Sequence, residues 1–131
     1  DLDQKDDMRA ILEALIKRES GKPKNRIEYA NAFFNELNDT TTSIRILDGM
    51  RNQFLQIESM VKTRGIGKNA VKKSDWDRWQ KAYPDIITSL VYVYRKSGNM
   101  IDAEIVLMDW IDRYPSDKNA QKILKEIQSQ G

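Results

Sequence analysis

Cysteine and histidine are both absent from this chain of 131 residues. Their absence excludes disulfides, thiolate and imidazole metal sites, and the common pairing of a nucleophile with a histidine base. It does not choose a compartment, because a secreted helical domain also manages without bridges. Proline and glycine are scarce, three and six residues, and they stand at breaks in the hydrophobic pattern. No apolar run approaches the ~20 residues that span a bilayer, and no signal-peptide pattern is present. No stretch alternates convincingly with period two, so no strand is expected. The first residue is Asp1 and not Met, which suggests a processed protein or a domain of a larger one.

Abundant charge and stripes of apolar residues at helical spacing remain. Together with the length they predict one soluble, all-α domain over 1–131. Met8, Ile11, Leu12, Leu15 and Ile16 recur on one helical face that Gly21 and Pro23 should end. Asn25 and Glu28 have the spacing of a capping box for a second helix, with Ile27, Ala30, Phe34 and Leu37 turned inward. The two should make an N-terminal hairpin over 1–38. The polar run 39–43 separates it from a long helix carrying Ile44, Leu47, Met50, Phe54, Ile57 and Val61. A glycine-containing loop over Arg64–Lys73 follows. Ser74 with Asp77 then suits a cap for a short helix that ends before Pro84.

From Pro84 to Asp117 the chain reads as two helices hinged at Ser97-Gly98-Asn99 and closed by Pro115. Leu90, Tyr94, Gly98, Ala103, Leu107 and Pro115 fall where a tetratricopeptide repeat, with its period of about 34 residues, places its large, aromatic, turn, small, large and terminating residues. The segment resembles that family. Val91 and Trp110 are bulky where the family carries small residues. Ala120, Ile123, Leu124 and Ile127 mark a last helix, which would cap the final hairpin. The resemblance implies stacked antiparallel hairpins in a right-handed α-α superhelix of about seven helices, divided as 1–38, 43–83 and 84–130.

The same resemblance implies a non-catalytic protein–protein interaction module or scaffold. In the family, the first helix of each repeat lines a concave surface, which here would present Asp85, Thr88, Tyr92, Arg95 and Lys96 to a protein or peptide. The family's groove for a C-terminal carboxylate needs Lys and Asn where this chain has Thr88 and Tyr92, so that ligand is not expected.

A second surface is suggested by charge alone. The chain is +2 overall and +5 over 62–73, so the rest sums to −3. Lys62, Arg64, Lys68, Lys72 and Lys73 could meet nucleic acid or an anionic membrane surface as an alternative function. Trp76 and Trp79 beside them suit either base stacking or a core. Gly67-Lys68 is not a phosphate-binding loop, because the first glycine is missing and Asn69 replaces the hydroxyl residue. Asp3, Asp6 and Asp7 are helix N-terminal acids, and Lys5 and the missing glycine rule out a calcium loop. No enzyme activity, cofactor or metal is expected.

Overall fold

The computed structural model of the protein describes residues 2–18 and 22–130. They form six helices in order: α1 (Leu2–Arg18), α2 (Pro23–Asn35), α3 (Thr40–Arg64), α4 (Lys73–Lys96), α5 (Met100–Arg113) and α6 (Lys118–Gln130). Among the described residues there is no strand, only one isolated bridge between Ile66 and Val71 in the α3–α4 loop. None of the helices is long and apolar enough to cross a membrane.

Six helices stand where about seven were expected, and the difference lies at Pro84. Pro84 sits inside α4, which runs unbroken through it. A helix-interior proline costs ~3 kcal/mol, because the carbonyl four residues back loses its donor. Against that, Tyr83, Ile86, Ile87 and Leu90 are all fully buried around it. Each such side chain contributes about 1.5–3 kcal/mol, so burial outweighs the local preference to break.

Other boundaries moved for identifiable reasons. α2 starts at Pro23, with Lys22 as its cap and no capping box at Asn25; proline at the first helical position has no donor to lose. α3 starts at Thr40 and not near Ile44, because Asp39 accepts from the Thr42 amide (3.0 Å) and the Thr42 hydroxyl (2.7 Å). α4 begins at Lys73 with Lys72 in the cap position, so Ser74 lies inside the helix and does not cap it. Phe33 is the fully buried phenylalanine of α2, while Phe34 is half-buried. The helix stop expected at Gly21 falls outside the described residues.

α4 is the centre of the packing and touches α2, α3 and α5; α6 lies on α5, and α1 on α2. Phe33, Leu47, Met50, Phe54, Tyr83, Ile86, Ile87, Leu90 and Leu107 make a fully buried core. The turn into α5 has Gly98 at φ 82°, a left-handed conformation that glycine adopts without strain. Asn99 caps α5 by accepting from the Asp102 amide at 3.3 Å. Ala103, one turn on, is fully buried. Only part of the α1 stripe is covered: Leu12 is buried, whereas Met8 and Ile11 are exposed.

Asp39 also receives Arg9 of α1 at 2.5 Å, so one carboxylate caps α3 and anchors α1. Burial alone would raise its pKa, but the hydrogen bonds from Arg9 and Thr42 outweigh burial and hold it below the usual range. A lowered folded pKa means that this stabilisation is present above the unfolded value of ~3.9 and disappears as pH falls through the folded one. Asp39→Ala should therefore cost about 1 kcal/mol at neutral pH and less at strongly acidic pH. Urea melts of both proteins at the two pH values check this; an equal deficit at both would remove the carboxylate from the account.

Candidate functional site

The C-terminal half of α4 exposes a strip one residue wide. Thr88, Tyr92 and Arg95 follow at i, i+4 and i+7, with Lys96 one turn beyond Tyr92, so their side chains stack along one face. The face opposite carries Leu90 and Tyr94 into the core. Tyr92 remains 44% exposed beside them.

α5 and α6 turn this strip into a cleft of about 500 Å³, lined by Thr88, Val91, Tyr92, Arg95, Lys96, Met100, Ile123 and Gln130. Val91, Met100 and Ile123 supply the apolar part of the lining. The Tyr92 ring meets Phe34 of α2 edge to face, with centroids 5.7 Å apart and planes at 85°. The Lys96 ammonium lies over the same ring, 5.9 Å from its centroid, a cation–π distance. Arg95 donates to Gln130 at 2.7 Å and stands 4.0 Å from Glu126, which ties the strip to α6. The Thr88 hydroxyl donates back to the Pro84 carbonyl at 2.7 Å and keeps its acceptor capacity for a ligand.

Four of the residues singled out from the sequence, Thr88, Tyr92, Arg95 and Lys96, therefore line one cleft. Asp85 does not join them. It lines a separate cavity with Pro23 and Ile27 of α2 and with Arg78, Lys81 and Ala82 of α4. Phe34 and Ile123 were read only as core positions of their own helices, and Met100 and Gln130 were not singled out. A helical period places each on a face of its own helix but does not say which helix that face will meet.

The basic segment is spread over three elements, the end of α3, the α3–α4 loop and the start of α4. Lys62 lies 3.8 Å from Glu58, and Lys73 pairs with Asp77 at 2.7 Å. Lys72 lines a shallow cavity with Gln53, Ile57, Met60 and Trp79. Arg64, Lys68 and Lys72 are exposed. Neither tryptophan is presented as a stacking platform: Trp79 is buried, and Trp76 stacks on Phe54 with centroids 5.7 Å apart. Among the described residues no group of three or more acids could hold a metal ion.

Comparison of this chain with protein-family models, with curated proteins and with solved structures yields no match.

Proposed function

We propose that the protein is a non-catalytic protein–protein interaction module, a scaffold element whose hairpins α2–α3 and α4–α5 stack as in a tetratricopeptide-like superhelix, with α6 as the cap. The cleft over α4 is its binding surface, and Thr88, Tyr92, Arg95 and Lys96 are its contact residues. The observation that carries this reading is Tyr92: a large aromatic left 44% exposed on the central helix, with a cation over its ring and apolar lining beside it. Tyrosine and arginine are among the residues most enriched at interface hot spots. The ligand that fits is a peptide segment with an apolar anchor and a nearby acid for Lys96. The exposed α6 face, with Lys118, Lys122 and Lys125, is polar, as a terminal cap requires.

Selection from a displayed peptide library tests the reading. Selected peptides should lose about tenfold or more in affinity on Tyr92→Ala, or ~1–2 kcal/mol. The melting temperature should change little, because the ring is already 44% exposed and loses only its contacts with Phe34 and the Lys96 ammonium. Peptides that bind Tyr92→Ala as well as the wild type would sink the proposal, and so would a selection that enriches nothing.

A further inference from the structure

The side of α5 turned away from the core is apolar. Ile101, Ile105 and Met108 follow at i, i+4 and i+7, whereas Ala103, Val106, Leu107 and Trp110 on the other side of the helix are buried. Ile101 is 75% exposed and Ile105 54%. Among the described residues no other helix exposes three large apolar side chains in one line. A continuous stripe of this kind marks a contact surface, as scattered single residues do not.

The charge left over around the stripe has one sign. α5 holds Asp102, Glu104, Asp109 and Asp112 against a single base, Arg113. Arg113 is taken by Glu58 of α3 at 3.0 Å and by Asp109. Arg51 of α3, at the edge of the stripe, stands between Asp48 at 4.0 Å and Asp109 at 3.4 Å. Both bases are therefore committed. Glu104 and Asp112 line one shallow surface with the three apolar side chains, and neither has a basic partner among the described residues. Glu104 flanks the stripe, four residues before Met108, and Asp112 ends it, four residues after.

This combination disfavours two occupants. An anionic lipid surface would be repelled. The same stripe of a second copy would bring acid against acid: Glu104 would meet the partner's Asp112 if the helices ran antiparallel, and the partner's Glu104 if they ran parallel. We infer that the outer face of α5 binds a basic amphipathic helix of another protein, laid along the seam between α5 and α3. A helix fits because the i, i+4 ridge of one helix packs against a matching ridge and groove of another. Its apolar residues, at i, i+4 and i+7, cover Ile101, Ile105 and Met108. Glu104 and Asp112 are eight residues apart, about 12 Å along the axis, so bases at that separation on the bound helix reach both. The surface shares no lining residue with the α4 cleft, and the inference does not rest on the function proposed for that cleft.

Three synthetic peptides, held helical by side-chain staples, test it. Each carries leucine at i, i+4 and i+7, and the flanks of that stripe are all Lys, all Gln or all Glu. In nuclear magnetic resonance titrations of the isotope-labelled protein, the Lys peptide should shift α5 amides and bind at least tenfold more tightly than the Glu peptide. High salt should narrow that gap. Ile105→Ser should weaken the Lys peptide at least tenfold, and Glu104→Lys with Asp112→Lys should reverse the order of the Lys and Glu peptides. Tyr92→Ala should leave the Lys peptide within twofold of the wild type, which separates this surface from the α4 cleft. The substituted side chains are at the surface, circular dichroism melts check folding, and the comparison of peptides on the wild type needs no variant. Absence of α5 shifts up to millimolar peptide overturns the inference, as does equal binding of the Lys and Glu peptides or an order that survives the charge reversal. Shifts centred on Tyr92 also overturn it. So does a peptide-free dimer in sedimentation velocity, or adsorption to phosphatidylcholine vesicles, that Ile105→Ser abolishes, since either gives the stripe a different occupant.

Discussion

Tyr83→Ala is expected to lower stability by about 3–5 kcal/mol, the range for removing a fully buried aromatic side chain. In a domain of this size that is a fall of about 10–20 °C in melting temperature. Tyr83 is completely buried. Its ring lies 4.3 Å from Phe54 of α3 and 5.9 Å from Tyr114 beyond α5, so one side chain joins three elements. Its hydroxyl donates to Asp109 at 3.0 Å. Asp109 also takes Arg51 at 3.4 Å and Arg113, and Arg113 continues to Glu58. Tyr83→Phe should cost only ~1 kcal/mol, because Asp109 keeps both arginines and only one hydrogen bond is lost. The contrast separates packing from polarity: if alanine and phenylalanine cost the same, the hydrogen-bonded network and not the ring holds α4 to α3 and α5.

Alkaline pH gives a second readout on the same residue. Burial, and after it the charge of Asp109, push the Tyr83 phenol well above its usual range. A raised folded pKa keeps its stabilisation intact below the unfolded value of ~10 and loses it as pH rises beyond. Tyr83→Phe should accordingly show a shallower loss of stability in denaturant melts above that pH. Equal slopes would mean that the phenol's ionisation is not coupled to unfolding.

What could be read from the residues was what depends on local period and local capping. The all-α class follows from the stripes. The α4–α5 turn follows from Gly98 and Asn99, whose backbone needs are met within four residues. The inward side of α6 follows from Ala120 and Ile127. What could not be read depends on distant neighbours. Phe33 and Phe34 are both apolar and lie 100° apart on α2, and only the position of α3 and α4 decides which is enclosed. Met8 and Ile11 complete a helical stripe, yet among the described residues α2 is the one helix packed on α1, and it cannot cover the whole stripe. The strip Thr88, Tyr92, Arg95 and Lys96 was visible as one face of a helix. That Asp85 belongs to another cavity, and that Ile123 and Gln130 wall the cleft, required the packing of α2 on α4 and of α6 on α5.

Pro84 is the sharpest of these cases, because local chemistry and tertiary packing give opposite answers there. Proline has no N–H for the Gln80 carbonyl, and its ring crowds that carbonyl, so α4 is held together by what surrounds it. Pro84 itself is only half-buried, and its replacement by alanine opens little space in the core. Alanine would restore the missing donor and has the highest helix propensity. Loss of proline's stiffening of the unfolded chain works the other way, by about 0.4–1 kcal/mol. Pro84→Ala is therefore expected to stabilise the protein by about 2 kcal/mol, raising the melting temperature by several degrees. The new amide at position 84 should exchange slowly with solvent hydrogen, as one bonded to Gln80 would. A destabilised variant would carry a different lesson. It would mean that the ring at Pro84 sets the angle between the half of α4 that packs Trp79 and the half that presents Tyr92, and that the cleft is shaped by the proline that sequence rules alone would place at a helix end.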